Sequence, residues 1–187
     1  YSLCIVNTGG NHADLNEDYA SVPAEMKAVA RALGVSVLRE TTEEAVIANI
    51  VRLRSEVGDR AIMRALHFFN ENRRVAAQVE ALRAGDIEAF KAGVTASGNS
   101  SFKYLQNVYT NKNIAEQGLS LALCLTEDFL AGTGAVSRVH GGGFAGTIQA
   151  FVPVHDTAAY AARMNAVFGE GACHILSVRP SGACRIL

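Results

Sequence analysis

The stretch Val136-Ser137-Arg138-Val139-His140-Gly141-Gly142-Gly143-Phe144-Ala145-Gly146-Thr147-Ile148-Gln149-Ala150-Phe151-Val152-Pro153 reads as two short strands joined by a loop almost bare of side chains. Four glycines in six residues (Gly141, Gly142, Gly143, Gly146) let the backbone take positive φ. They also let a phosphate, a second loop or another surface approach closely. A tight connection between neighbouring strands recruits glycine too, so the loop alone supports both a structural and a functional reading.

Outward from this hairpin, a helix is expected from about Asp156 to Phe168, a strand from Cys173 to Val178 and a last strand from Ala183 to Leu187. An early strand over Leu3 to Val6 runs into the turn-rich Asn7-Thr8-Gly9-Gly10-Asn11. Helices fill the middle. Ser21 is placed to cap one with Pro23 in its first turn, ending at Gly34. Thr41-Thr42-Glu43-Glu44 opens a second, running to Val51. Asp59 is expected to cap a long helix over residues 60–84, with Ile62, Leu66, Phe69, Ala76, Val79 and Leu82 down one side. Gly85 stops it and Asp86 starts another. Ser97-Gly98-Asn99-Ser100-Ser101 reads as a polar break, residues 102–113 carry mixed signals, and a helix follows from Ala115 to Leu130. Helices over an antiparallel sheet make an α+β architecture, expected as one domain over residues 1–187.

Composition narrows the function. The 187 residues are 49% hydrophobic and 19% charged, ordinary for a globular chain large enough to bury a real core. Seventeen basic against 18 acidic residues give a net charge of −1, without the excess that nucleic acid or an anionic membrane would call for. The apolar runs are too short to span a bilayer. Cys4, Cys124, Cys173 and Cys184 lack metal-type spacing and are read as buried reduced thiols of a cytoplasmic protein. The chain opens at Tyr1 and enters a strand at once, so it is expected to be a piece of a longer protein.

No complete catalytic set stands out. His12, His67, His140, His155 and His174 include no pair at helical i, i+4 spacing, so no metal site is expected. Cys173 and His174 are adjacent in a strand and point to opposite faces, which rules out a thiol–imidazole pair. Glu17-Asp18, in a polar loop, and Glu43-Glu44, in a helix's first turn, suit solvated structural roles. Arg64, His67, Glu71 and Arg74 line one side of the long helix, either as surface ion pairs or as a face that docks on another lobe.

Several segments together resemble the C-terminal half of the galactokinase family, within the GHMP kinase superfamily. They are Asn7-Thr8-Gly9-Gly10-Asn11-His12 with Tyr19 beyond it, Arg64-Ala65-Leu66-His67 with Glu71, Arg73 and Arg74, and Ala81 to Asp86 with Ala89-Phe90. The fourth is Ser137 to Gly146, similar to the superfamily's third motif. The resemblance implies a ferredoxin-like antiparallel sheet with additional helices. It implies an enzyme that transfers the γ-phosphoryl of ATP to the anomeric hydroxyl of galactose with magnesium, acting as a cytoplasmic monomer. Tyr19 matches a sugar-contacting tyrosine, and His140, Gly141, Gly142, Gly143, Phe144, Ala145 and Gly146 match a loop that supports the nucleotide's phosphate loop. No catalytic residue is expected in this piece, because the family's base and principal nucleotide loop lie in an N-terminal half that it lacks. Ala20 to Ala24 stand where the family has paired arginines, Ser97 to Ser101 replace a serine–histidine–x–serine–leucine motif, His140 replaces a small polar residue and Ala145 a glycine. These departures leave room for a sugar sensor or transcriptional regulator of the same family, or for a free-standing small-molecule regulatory domain.

Overall fold

A computed structural model describes residues 1–10, 15–178 and 182. Among them, strands β1 (Ser2–Asn7), β2 (Val136–His140), β3 (Thr147–Val152) and β4 (Cys173–Leu176) form an antiparallel sheet in the order β2-β3-β1-β4. The α-helices are α1 (Asn16–Ala32), α2 (Glu43–Ala48), α3 (Ile50–Glu56), α4 (Asp59–Arg83), α5 (Ile87–Ser100), α6 (Gly118–Phe129) and α7 (Thr157–Phe168). With α6 in the first crossover and α7 in the second, the order β-α-β-β-α-β is the ferredoxin-like arrangement. Helices α1 to α5 are the additional ones, inserted ahead of α6. The α+β expectation holds. The expected strand at 183–187, Cys184 and His12 fall outside the described residues.

Alternation along the strands sets the layers. Val6 pairs with Ile148 on one side and Cys173 on the other, and Cys4 with Ala150 and Ile175. Cys4, Val6, Val139, Ile148, Ala150 and Val152 are buried in one cluster with Leu119, Ala122 and Leu130 from the α6 side and Tyr160 and Met164 of α7. Each large apolar side chain there contributes roughly 1.5–3 kcal/mol. The buried Tyr160 hydroxyl meets Thr126 Oγ1 at 2.9 Å, and Thr126 donates to the Ala122 carbonyl at 2.7 Å, so neither polar group is stranded. Phe151 points to the other face and meets Phe90 of α5 edge-on, ring centres 5.3 Å apart. Gly98 lets α5 touch β2: a Cβ there would stand 2.9 Å from Arg138 Cβ and 3.2 Å from the Ser137 carbonyl.

A second apolar cluster lies in the helical layer, where Val29 and Ala30 of α1 meet Val46, Leu53, Ala61, Ile62 and Ala65. Several boundaries differ from the sequence expectation. Helix α1 begins at Asn16, so Glu17 and Asp18 occupy its first turn rather than a loop. Ser21 does not cap it, because its hydroxyl bonds back to the Asp18 carbonyl at 2.7 Å, and Pro23 lies inside the helix. Helix α2 opens in the expected Thr41 to Glu44 stretch, with Thr42 as its cap, accepting from the Ala45 amide at 3.2 Å. The expected continuation to Val51 is broken at Asn49, whose side-chain amide competes for the Ala45 carbonyl at 2.9 Å. Asp59 is the first residue of α4, not its cap, since Arg54 takes its carboxylate at 2.7 Å and Gly58 precedes the helix with φ 82°. On the expected apolar side of α4, Ile62 is buried and Leu66 and Phe69 are half-buried against the helical cluster, whereas Ala76, Val79 and Leu82 are exposed.

Asp86 caps α5 through the Ala89 amide at 2.9 Å, as expected. Residues 97–101 are no break. The helix runs to Ser100 and passes into a π-turn over Ser101–Leu105, with Ser97, Ser100 and Ser101 all buried. Helix α6 starts at Gly118, three residues past the expected Ala115. Cys4 is buried and Cys173 half-buried, but Cys124 is exposed on α6, against the expectation of uniformly buried thiols. His174 is exposed while Cys173 packs on the core, the opposite-face arrangement expected for adjacent strand residues.

Candidate functional site

The β2–β3 connection takes its shape from its glycines. Gly141, Gly143 and Gly146 have φ of 72°, 81° and 97°, and Phe144 joins them at 60°. Three elements hold this loop by its carbonyls. Tyr19, near the start of α1, donates its hydroxyl to the Gly143 carbonyl at 2.7 Å. Thr8, at the exit of β1, gives both its amide and its hydroxyl to the Gly146 carbonyl, at 2.8 and 2.9 Å. Asn107, beyond the π-turn, gives its carboxamide N–H to the Gly142 carbonyl at 3.0 Å and accepts the Phe144 amide on its own main-chain carbonyl at 2.5 Å.

Packing is as close as the bonding. A Cβ on Gly142 would lie 2.8 Å from Tyr19 Cε1, and one on Gly143 would lie 1.9 Å from the Asn107 carbonyl oxygen. Tyr19 and Phe144 meet edge to face, ring centres 5.4 Å apart. Burial, and next the Asp18 carboxylate, holds the Tyr19 phenol above its ordinary value, so it stays a protonated donor. Ala145, where the family resemblance has a glycine, lies over Gly10, and a Cβ on Gly10 would come within 2.9 Å of its methyl. His140 is exposed, with Nδ1 2.9 Å from Thr147 Oγ1 across the hairpin. Thr8, Gly9, Gly10, Thr110, Lys112, Phe144 and Ala145 help line a cleft of about 720 Å³ on this side of the loop.

A polar seam fastens the helical layer to the sheet behind this site. Arg64, 1% exposed, donates to the Leu105 carbonyl at 3.0 Å, to Ser21 at 2.8 Å and to Glu25 at 2.9 Å. Burial pushes its guanidinium down, with Glu25 opposing. His67 Nδ1 lies 2.9 Å from Ser100 Oγ, and burial holds its imidazole below the ordinary value. Glu71 accepts from Ser97 at 2.5 Å, pairs with Arg74 and lies 3.7 Å from Arg138 of β2. Burial alone would raise the Glu71 carboxyl, but hydrogen bonds from Ser97 and Arg74 outweigh it and hold it low. The Arg64, His67, Glu71 and Arg74 stripe is therefore no row of surface pairs. It docks inward on its own chain, against α1, the π-turn and α5, and reaches the sheet through Glu71 and Arg138.

The structure thus brings Tyr19 together with Gly142, Gly143 and Phe144, across 124 positions of chain. It leaves His140 at the rim. Sequence reasoning misses Asn107, and it includes Thr8 in the Asn7 to His12 segment without assigning it a contact. In the sequence Asn107 reads only as a residue that weakens a helix, and nothing in its spacing points to a loop 35 positions away.

No family model matches the chain. Curated galactokinases of Actinobacillus pleuropneumoniae serotype 5b (strain L20) and Glaesserella parasuis serovar 5 (strain SH0165) are 31% and 30% identical to it over 153 residues, 82% of this chain and 38% of theirs. The crystal structure of Lactococcus lactis galactokinase complexed with galactose matches with a TM-score of 0.71 at 24% identity, over 94% of this chain and 44% of that one. At that identity the structural likeness speaks for the fold, and the chain spans less than half the length of these relatives. Sequence relatives and fold together make the chain similar to galactokinases and support a galactokinase-type C-terminal domain.

Proposed function

We propose that this domain is one wall of the substrate cleft of an ATP-dependent galactokinase, which transfers the γ-phosphoryl group of ATP to the anomeric hydroxyl of galactose. In this reading the catalytic residues and the principal nucleotide loop belong to chain outside these 187 residues. The observation that carries the reading is the contact of Tyr19 with the glycine loop, two motifs that are far apart in sequence. In this reading Tyr19 binds the sugar, since an aromatic ring with a hydroxyl can pack on a sugar's apolar face and hydrogen-bond its edge, while its contact with Gly143 fixes its place beside the loop. Residues 140–146 support the phosphate loop from below, presenting backbone rather than side chains. Magnesium, when bound, neutralises charge on the transferring phosphates. Among the described residues, however, no three His, Cys, Asp or Glu side chains gather to hold a metal ion, so the residues present do not form its site.

Phosphoryl transfer depends on positioning and charge neutralisation, so half a cleft has no turnover. The test is ADP release by the full-length protein, with and without galactose, beside the isolated 187 residues. Galactose-dependent release from the full-length protein alone supports the reading. Binding of galactose and ATP with no turnover would replace it with a sensor.

A further inference from the structure

We propose that Asn107 is a positioning residue that sets the conformation of the glycine loop and, through it, the loop's fit to the nucleotide side of the cleft. The second half of this statement rests on the kinase reading above. Asn107 is 3% exposed and reaches the loop twice, by Nδ2 to the Gly142 carbonyl at 3.0 Å and by its carbonyl to the Phe144 amide at 2.5 Å. The same carbonyl lies where a Gly143 side chain would have to be, which explains a glycine at φ 81° at that point.

The placement of Asn107 is itself specified. Helix α5 passes into the π-turn, Gln106 turns the chain left-handed at φ 56°, and its amide closes on the Ser101 carbonyl at 2.8 Å. Arg64 holds the Leu105 carbonyl, two residues ahead of Asn107, and is held in turn by Ser21 and Glu25 of α1, the helix that also carries Tyr19. The π-turn, α1 and the loop thus close a ring of hydrogen bonds with Asn107 as the member that touches the loop most closely. Asn107 Oδ1 is buried and lacks a hydrogen-bond partner among the described residues. An apolar residue would avoid the cost of burying that oxygen. The position therefore keeps a carboxamide for its N–H group, which donates to the loop carbonyl.

Two variants separate this role from simple space filling. Asn107→Asp keeps the shape but sets an oxygen against the Gly142 carbonyl, whereas Asn107→Ala removes the side-chain shape and its N–H group; both leave the main-chain carbonyl that accepts from Phe144 in place. In the full-length protein, hydrogen exchange should speed up about tenfold over residues 141–146 in both variants, with β1 unaffected. In the Asn107→Asp variant alone, protection should return as the pH falls and the protonated carboxyl supplies an O–H donor in place of the amide. Loop protection equal to wild type in both variants, or protection in Asn107→Asp, corrected for intrinsic exchange, that does not rise as the pH falls, would overturn the proposal. These readouts need no turnover. If the kinase reading also holds, KM for ATP should rise about fivefold to tenfold in Asn107→Ala while kcat changes less. A wild-type protein that never phosphorylates galactose would sink that reading and leave the exchange result standing.

Discussion

At Gly143 a single methyl group decides between two backbones. Its Cβ would fall 1.9 Å from the Asn107 carbonyl, and its φ of 81° is strained for any L side chain. Gly143→Ala should cost about 1–3 kcal/mol or more, read as a lower denaturant midpoint, because neither backbone segment can give way. Gly142→Val meets a movable ring instead, Tyr19 Cε1 at 2.8 Å. That variant should fold, and in the full-length protein it should raise KM for ATP or stop activity; unchanged kinetics would reduce the loop to a connection. Tyr19→Ala should weaken galactose more than ATP, whereas equal loss of both would mean that the loop simply collapsed without its Gly143 contact.

Among elements, the helix starts offer a direct contrast. Asp86 caps α5 through the Ala89 amide, while Asp59, of the same residue type and also at a helix start, commits its carboxylate to exposed Arg54. Asp86→Ala should cost about 1 kcal/mol, as lost caps do. Asp59→Ala should cost less than that, because an exposed ion pair is screened by water and contributes little. Thermal unfolding of the two variants checks the order. The π-turn is the element that the sequence did not reveal. Ser97, Gly98, Ser100 and Ser101 have the composition of a loop, yet each hydroxyl finds a partner in Glu71, Arg138 or His67, and the glycine lets β2 come close. Turn-forming residues leave a helix when water is their best partner; here the partners come from another layer of the fold.

For the molecule as a whole, the seam that joins α4 to α5 and to Arg138 of the sheet is polar and holds two titratable groups, His67 and Glu71. His67 has a folded pKa below its unfolded value near 6.5, so between the two the unfolded chain binds a proton that the folded chain does not. Stability should therefore fall as the pH drops below about 6.5, with Glu71, also held low, adding to the loss below its ordinary range near 4.5. The groups facing His67 are Ser100, Glu71, Arg74 and Arg138. Urea midpoints from pH 7.5 to 5 should show a shallower slope in His67→Gln; an unchanged slope would place the titration elsewhere.

The chain's own residues determined the α+β class, the hairpin at 136–152 with its glycine-rich loop, and the helix starts at 41–44 and at Asp86. Those signals are local, written in turn chemistry and apolar periodicity within a few positions, whereas Tyr19 stood out only through the resemblance to a family. Tertiary structure alone decided that Tyr19 rests on Gly142, that Asn107 fills the space of a Gly143 side chain, and that Arg64 and Glu71 face inward. Such pairings join residues many tens of positions apart, and a hydrogen bond or a van der Waals contact leaves no periodic trace in the sequence when its partners meet only after the layers have packed.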